Sequence, residues 1–213
     1  MEKIVIIGGG GHAKVVLDIL IKINKYEIEG IIVDKINEKA ELRGIPVFLG
    51  DSKLDYFFNS GIHKVAIGIG GYRDNKLRMN IFNLLKKKNF EPINVIDPSA
   101  IISETVKFGE GNVVFPGVVL NTGVILGNNN IIATGATIDH ETIIEDNVLI
   151  SAGVTVGAYS RIKDGALIAL GAKIISGVEI GSSSLVAAGA VVTQNIKPLE
   201  TVYGIPARPK NQG

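Results

Sequence analysis

The sequence contains no cysteine and no tryptophan, and only three histidines stand among its 213 residues. Without cysteine there can be no disulfide, no thiolate metal site and no cysteine nucleophile, and this composition fits a protein of the reducing cytoplasm. Two of the histidines, His12 and His63, lie in the first third of the chain without the spacing of metal ligands. The sequence therefore implies no metal site.

An excess of one charge and long apolar runs are also missing. Lysine and arginine number 22 against 21 aspartates and glutamates, for a net charge of +1. Bulk attraction to nucleic acid or to a membrane surface is therefore not indicated, and any bound anion must be held by local groups. The N-terminal stretch "MEKIVIIGGGGHAK" is too rich in glycine for a signal peptide, and no apolar run is long enough to cross a bilayer. We expect a soluble cytoplasmic protein without a nucleic-acid or membrane partner.

Residues 1–96 alternate between short apolar runs and helical patterns. The predicted strands are 3–8, 27–34, 64–70 and 91–96, and the predicted helices are 12–24, 54–61 and 73–89. Apolar residues share one face of the first helix, and lysines close the last one, where the helix dipole favours them. Strands that alternate with helices predict a small Rossmann-like parallel α/β domain, about half the size of a complete dinucleotide-binding fold.

From Ile102 onward a period of six replaces the helical period. Every sixth residue from Ile102 to Val192 is large and apolar, and the fifth position of each hexad is small or medium in size. The second position is often glycine, and we expect glycine and asparagine where the turns need a positive φ. A helix cannot use a period of six, whereas a short strand and a turn repeated three times per coil can. Residues eighteen apart then stack, so Asn112 should lie directly below Asn130.

The hexad pattern resembles the left-handed parallel β-helix of hexapeptide-repeat acyltransferases. The resemblance implies a β-helix over residues 97–197, with about five coils and a base that the α/β domain covers. Because the repeat ends at Pro198, residues 198–213 are predicted to form a C-terminal tail.

The segment "GGGGHAK", residues 8–14, joins the first strand to the first helix. Glycines there allow backbone N–H groups and the helix N-terminus to approach a phosphate. Alone, the segment also matches the G-x-G-x-x-A pattern of NAD-binding proteins, but the second mononucleotide half of that fold is missing. From the residues alone, a nucleotide site and a tight turn without a ligand both remain open.

His140 is the one histidine inside the repeat. It occupies the third position of its hexad, where the side chain points outward, and Asp139 and Glu141 flank it. A neighbouring carboxylate can fix the tautomer of an imidazole, and the small residues nearby leave room for a narrow ligand. The position fits either a surface histidine without a role or a site that another chain completes.

The order of motifs resembles that of the NeuD and PglD group of bacterial sugar acetyltransferases. The motifs are "IIGGGGHAKVV", the strand that ends in Asp34, "AIG" at 66–68, "DPSA" at 97–100, "IDHE" at 138–141 and "GIPAR" near the end. Together they span nearly the whole chain. Two positions depart from the pattern, since Ala133 and Leu149 stand where members of the group often have asparagine and a second histidine.

The resemblance implies an acetyl-CoA-dependent acetyltransferase that is a homotrimer and binds acetyl-CoA between adjacent subunits. It makes His140 the general base and Glu141 its assistant. The nucleotide of a nucleotide sugar would be bound by Gly8, Gly10, Gly11, His12, Asp34 and Gly68. The candidates for contacts to the oxyanion or to acetyl-CoA are Gly153, Gly171, Ala188 and Arg208, with Lys210 near the last.

The chemistry of thioesters specifies what such a site must do. An amine or hydroxyl held near the acetyl carbonyl attacks it, His140 takes the proton, and a backbone N–H, for which Gly153 is the first choice, stabilises the oxyanion. The leading prediction is N-acetylation of a nucleotide-linked amino sugar of the 4-amino-4,6-dideoxyhexose type, in surface-glycan biosynthesis. The alternatives are O-acetylation of sialic acid and a non-catalytic trimeric β-helix that senses a nucleotide.

Overall fold

The computed structural model describes residues 1–34, 41–50, 52–71 and 74–209. They form a small α/β unit and a β-helix, in that order along the chain. Arg73, at the start of the predicted third helix, lies outside the described residues, and so does Lys210 in the C-terminal segment.

The α/β unit is a six-stranded sheet with the strand order β3-β4-β2-β1-β5-β6. Its strands are β1 (Glu2–Ile7), β2 (Tyr26–Val33), β3 (Glu41–Leu42), β4 (Ile45–Leu49), β5 (Lys64–Ile67) and β6 (Glu91–Pro92). Its helices are α1 (Gly11–Ile23), α2 (Ser52–Asn59) and α3 (Lys76–Lys87). All neighbouring strands are parallel except β3 and β4, which form a short hairpin that the sequence did not predict.

The predicted strand 91–96 is divided between the two units. Its first part, β6, pairs with β5 of the α/β sheet, whereas its second part, β7 (Val95–Ile96), pairs with the β-helix. The chain therefore passes from one unit to the other within this segment, without a linker.

The second unit is a left-handed parallel β-helix with three faces. The first face contains β7, β10 (Val113–Val114), β13 (Ile131–Ile132), β16 (Leu149–Ile150), β19 (Leu167–Ile168), β22 (Leu185–Val186), β24 (Thr201–Tyr203) and β25 (Arg208–Pro209). The second face contains β8 (Ile101–Ile102), β11 (Val119–Leu120), β14 (Thr137–Ile138), β17 (Thr155–Val156), β20 (Lys173–Ile174) and β23 (Val191–Val192). The third face contains β9 (Lys107–Phe108), β12 (Ile125–Leu126), β15 (Ile143–Ile144), β18 (Arg161–Ile162) and β21 (Glu179–Ile180).

Each strand from β7 to β20 pairs with the strand eighteen residues later, as the period requires. Ile132 lies beside Ile150, for example, and both side chains are fully buried in the β-helix core. The segment after Pro198 is not only a tail, because β24 pairs in parallel with β22 and extends the first face by one strand. The strand β25 then folds back antiparallel on β24.

The glycines of the repeat serve two different purposes. All fourteen residues at the fourth hexad position from Gly111 to Gly189 have a positive φ, and nine of them are glycine. The second-position glycines, for which we had expected a positive φ, do not have one. A Cβ on Gly157 would instead lie 2.5 Å from the backbone nitrogen of Ser176, so this glycine permits close approach of the next coil.

The predicted stack of Asn112 and Asn130 is present. The side-chain oxygen of Asn112 accepts the backbone N–H of Asn130 at 2.9 Å, and that of Asn130 accepts the N–H of Val148 at 2.7 Å. Asn94 extends the ladder below, with its side-chain oxygen 2.9 Å from the backbone nitrogen of Asn112. The buried amides therefore repeat one backbone contact on successive coils.

A fully buried guanidinium joins the two units. Arg78 of α3 donates to the carbonyls of Ile67, the last residue of β5, and of Ile69 just after it. It also donates to the carbonyls of Gly111 and Asn129 in the β-helix, and all four distances are 2.7 to 3.3 Å. Burial lowers the pKa of Arg78 to about 9, because removal from water disfavours the charged form. Through these four hydrogen bonds, the guanidinium of Arg78 holds the end of β5 and the segment after it against the β-helix.

Candidate functional site

The turn between β1 and α1 presents an open helix N-terminus. Gly10 is the N-cap residue, makes no side-chain capping bond, and no acidic residue follows in the first turn of α1. A Cβ added to Gly10 or Gly11 would meet no atom of residues 1–34, 41–50, 52–71 or 74–209 within 4 Å. Unpaired backbone N–H groups and the helix dipole make such a terminus suitable for a phosphate.

A cavity of about 460 Å³ lies against this turn, and we call it the loop cavity. Its walls include all six residues that the sequence analysis assigned to the nucleotide, namely Gly8, Gly10, Gly11, His12, Asp34 and Gly68. Leu77 and Ile81 from α3 also line it. The carboxyl ends of β1, β2 and β5 thus meet at one edge of the sheet, which is where ligands bind in open α/β folds.

A second cavity, of about 600 Å³, lies between the α/β unit and the first face of the β-helix. We call it the β-helix cavity. Its walls are largely apolar and include Phe115, Ile131, Leu149, Leu167 and Leu185. The two positions that depart from the family pattern, Ala133 and Leu149, both line it. A ligand part that enters this cavity therefore meets mainly hydrocarbon from the β-helix.

His12 and Gly71 line both cavities, so the two spaces adjoin at these residues. The imidazole of His12 stacks on Phe115 of the β-helix, with ring centroids 5.3 Å apart. Burial, and secondarily the charge of Arg78, lower the pKa of His12 from 6.5 to about 3, so the ring is neutral at physiological pH. Its Nε2 atom is buried and has no hydrogen-bond partner among the described residues.

His140 lies on the corner between the second and third faces and lines neither cavity. Asp139 accepts the backbone N–H of His140 at 2.8 Å and the side-chain amide of Asn121 at 2.9 Å. These bonds lower the pKa of the Asp139 carboxyl, that from Asn121 most strongly. The sequence analysis expected a carboxylate on the imidazole, but Asp139 binds the backbone instead.

The carboxylate of Glu141 does not pair with the imidazole of His140 in its own chain either. Its carboxylate lies over Gly123 of the preceding coil, where an added Cβ would come within 2.5 Å of it. Among the described residues, no hydrogen bond joins either carboxylate to the imidazole. The ring of His140 instead meets the ring of Tyr159, at 87° and 5.0 Å between centroids.

The expected oxyanion donor is already engaged. The N–H of Gly153 donates to the carbonyl of Thr134 at 3.0 Å, and the N–H of Gly171 to that of Ala152 at 3.0 Å. Gly153 also lies on the corner between the first and second faces, away from His140. The assignment of Gly153 as oxyanion donor stays a prediction, and its N–H would have to exchange the bond to Thr134 for one to the substrate. Ala158 lies one coil above His140, and no hydrogen bond of the described residues uses its N–H.

The other coenzyme candidates lie along the first face or beside it. Ala188 lines the β-helix cavity, and Arg208 is exposed in β25, where it donates to the carbonyl of Ala207. Lys210 lies outside the described residues. Within those residues, no group of His, Asp or Glu side chains is arranged to hold a metal ion, and no helix is long and apolar enough to cross a membrane.

The apolar residues that line the β-helix cavity were not predicted, although their spacing in the sequence indicates them. Ile131, Leu149, Leu167 and Leu185 are spaced by eighteen residues at an outward strand position. On the third face the same outward position is mixed and carries Lys107, Ile125, Ile143, Arg161 and Glu179. An unbroken run of large apolar residues at an outward position indicates that something covers the first face.

The family model of the PglD N-terminal domain matches residues 3–85 of the chain. None of the curated protein sequences compared with the chain matches it. A perosamine N-acetyltransferase from Caulobacter crescentus, solved as a histidine-to-asparagine variant with CoA and GDP-perosamine, is 31% identical with a TM-score of 0.92. That comparison covers 100% of this chain and 98% of the other.

Two further solved structures are similar over nearly their whole length. The acetyltransferase domain of PglB from Neisseria gonorrhoeae, in complex with acetyl coenzyme A, is 28% identical with a TM-score of 0.89, covering 98% of this chain and 99% of that one. WeeI from Acinetobacter baumannii is 25% identical with a TM-score of 0.86, covering 99% and 100%.

Proposed function

Because the chain belongs to the NeuD/PglD-like family of hexapeptide-repeat acyltransferases and is an acetyl-CoA-dependent sugar N-acetyltransferase, we propose a specific acceptor. The acceptor is the amino group of a nucleotide-linked 4-amino-4,6-dideoxyhexose, used in surface-glycan biosynthesis. The general base is His140.

One observation carries the choice of acceptor, namely that the loop cavity and the β-helix cavity adjoin at His12 and Gly71. A diphosphate at the open N-terminus of α1 would meet backbone N–H groups and the positive end of the helix dipole. A sugar attached to that diphosphate then extends past His12 toward the β-helix. Free sialic acid has no nucleotide to fill the loop cavity, so this arrangement favours a nucleotide sugar.

The lining of the β-helix cavity supports a deoxygenated sugar. Leu149 is only 7% exposed, and it and Ala133 offer no hydrogen-bonding side chain. A sugar hydroxyl buried against Leu149 and Ala133 would lose its hydrogen bonds to water, whereas a methyl group at C6 would gain from burial there. Thr134 and Ser151, which also line the cavity, are the side chains that could bind the remaining hydroxyls. The perosamine N-acetyltransferase from Caulobacter crescentus was solved with a nucleotide-linked amino sugar, GDP-perosamine.

His140 supplies the proton transfer in the proposed reaction. The neutral amine attacks the carbonyl carbon of acetyl-CoA, a C–N bond forms, and His140 takes the proton that the nitrogen loses. The C–S bond then breaks, and the proton passes from His140 to the departing sulfur of CoA. Two of the similar structures are substitutions of one histidine in the perosamine N-acetyltransferase, which supports an important histidine in this family.

The backbone N–H of Ala158 is the oxyanion donor in this proposal. It lies on the coil that stacks on His140, and it is free within the described part of the chain. A donor that is held by the backbone of a rigid coil needs no reorganisation when the tetrahedral intermediate forms. The acetyl carbonyl would therefore lie between the imidazole and this N–H.

The proposed active site is shared between chains of a homotrimer. His140 lines neither cavity of its own chain, so the acceptor amine must meet the His140 of a neighbouring copy. The corner between the first and second faces carries Gly117, Gly135, Gly153 and an exposed Leu170, which suits contact with a partner better than solvent.

A panel of acceptors tests the proposal. We expect acetyl transfer from acetyl-CoA to 4-amino-4,6-dideoxyhexoses linked to GDP, UDP or dTDP, with kcat/KM at least about 10²-fold above that for free sialic acid. The matched control is the same nucleotide sugar with a 4-hydroxyl in place of the amine, which should remain unacetylated. Preferential transfer to free sialic acid would contradict the proposed acceptor.

A further inference from the structure

The corner that carries His140 has an unusual backbone. Five of the fourteen fourth-position residues with a positive φ are not glycine. Asn129, Asn147 and Ser183 lie on the corner between the third and first faces, whereas Glu141 and Tyr159 lie on the corner of His140, with φ of 55° and 58°. Asparagine tolerates this conformation, but a long or aromatic side chain is strained in it.

The strain at Tyr159 is not offset by packing of its side chain in the core. Its side chain is among the most exposed large residues of the chain, with 66% of its surface accessible. The coil itself needs only a backbone bond here, from the N–H of Tyr159 to the carbonyl of His140 at 3.1 Å, and glycine would make the same bond. Strained residues that contribute little to packing are found mainly at functional sites.

Among the described residues, Tyr159 makes one aromatic contact, which is with His140. The rings are perpendicular, at 87°, with centroids 5.0 Å apart, which is a favourable edge-to-face arrangement. The flanking carboxylates do not hold the imidazole within the described residues, because Asp139 binds backbone and Glu141 lies over Gly123. Among the described residues, Tyr159 is therefore the aromatic side chain that contacts the His140 ring.

We propose that Tyr159 is a positioning residue, which holds the His140 imidazole in the orientation needed to accept the proton of the acceptor amine. This inference rests on the proposed function of His140 as general base. A side chain that acts in this way changes the rate of the chemical step and leaves substrate affinity alone.

Replacement of Tyr159 by glycine separates positioning from structure, because glycine is the residue that most hexads have at this position. We expect Tyr159→Gly to lower kcat by about 3- to 10-fold, the worth of an aromatic pair, with unchanged KM for acetyl-CoA and for the nucleotide amino sugar. Its Tm should equal that of the wild type or exceed it by about 2–4 °C, since backbone strain is relieved. Tyr159→Phe keeps the ring and should retain wild-type kcat.

The matched control is Ser183→Gly, which relieves a positive φ of 53° on the other corner. It should change Tm in the same direction and leave kcat as it is. Wild-type kcat in Tyr159→Gly would overturn the inference, and so would a Tm lowered by several degrees, because the ring would then support the coil.

The His140→Ala background distinguishes this inference from the proposed function. If Tyr159 acts through the imidazole, Tyr159→Gly causes no further loss in His140→Ala. An equal loss in both backgrounds means that Tyr159 contacts a substrate directly, which overturns positioning but leaves the base in place. A His140→Ala variant with wild-type kcat would instead remove the proposed base itself.

Discussion

The imidazole of His12 stacks on the ring of Phe115, with an angle of 25° between the planes. His12 belongs to α1 and Phe115 follows β10, so the contact joins the α/β unit to the first face of the β-helix. The same imidazole forms part of the wall of both cavities. Its neutral, buried state is thus a property of the junction between the proposed nucleotide and sugar sites.

Protonation of His12 should make the stability of the protein depend on pH. In the unfolded chain His12 takes up its proton near pH 6.5, but in the folded protein only near pH 3. The unfolded state binds more protons between these values, so the free energy of unfolding falls as the pH drops through this window. From pH 7 to pH 5, the wild type should lose about 2 kcal/mol more than His12→Phe, measured by urea denaturation. Equal losses in both proteins would mean that the imidazole is charged in the fold.

Replacement of Gly10 should separate the binding of the two substrates. A valine side chain at Gly10 meets no protein atom close to its Cβ, so the fold is retained, but it projects into the loop cavity beside the open end of α1. Gly10→Val should raise KM for the nucleotide sugar at least about 10-fold, because backbone approach to the diphosphate is blocked. KM for acetyl-CoA should stay unchanged in the same steady-state assay. Equal weakening of both substrates would place the coenzyme in the loop cavity.

Removal of the buried guanidinium should loosen the segment behind the loop cavity. Arg78→Met leaves four carbonyls without their donor and should lower the free energy of unfolding by at least about 3 kcal/mol. Because Ile67 and Ile69 lead into the cavity wall, KM for the nucleotide sugar should rise as well. The control is Arg161→Met, which removes an exposed ion pair with Glu145 and should cost less than about 1 kcal/mol. Similar unfolding curves for both variants would contradict a special role for Arg78.

Replacement of His140 should abolish most of the chemistry without harming the fold. His140→Ala should lower kcat by about 10²–10⁴-fold, the usual contribution of a positioned general base, while KM for acetyl-CoA is kept. Glu141→Ala should lower kcat much less, because its carboxylate lies over Gly123 and makes no hydrogen bond to the imidazole within the described residues, and the double variant should be little slower than His140→Ala. Single-turnover rates at saturating substrates measure both effects.

The control for the His140 substitution is Ile138, which lies two residues earlier, at the end of β14. Ile138 is fully buried in the β-helix core, and Ile138→Ala should lower the free energy of unfolding by about 2–5 kcal/mol. If amine acetylation by His140→Ala stays within about threefold of the wild type, the amine is deprotonated by another group.

The quaternary structure should be a stable homotrimer with roughly parallel β-helix axes. Two observations support this expectation. Ile101, Leu170 and Tyr159, which are each more than 60% exposed, lie on the outside of the β-helix, and His140 lines neither the loop cavity nor the β-helix cavity of its own chain. Light scattering at micromolar protein should give the mass of three chains. A stable monomer that is fully active would remove the shared active site.

The regular parts of this protein follow from local sequence pattern. The large residues at every sixth position specify the inward direction of each strand, and the eighteen-residue spacing of Asn112 and Asn130 specifies which coils stack. The sequence pattern is sufficient to predict these contacts because each strand of a solenoid pairs only with the strands one coil away. The period of the sequence therefore specifies which residues are neighbours in space.

Contacts between residues without a common period were decided by the tertiary structure alone. The sequence indicated glycines at the turns, but only the packing of the next coil shows that Gly157 is there for close approach and Gly153 for its positive φ. The meeting of two cavities at His12, and the choice of Tyr159 rather than a flanking carboxylate as the neighbour of His140, likewise depend on side-chain directions. Such contacts depend on the shape and polarity of surfaces that form only when the backbone folds. The sequence pattern therefore does not predict these contacts.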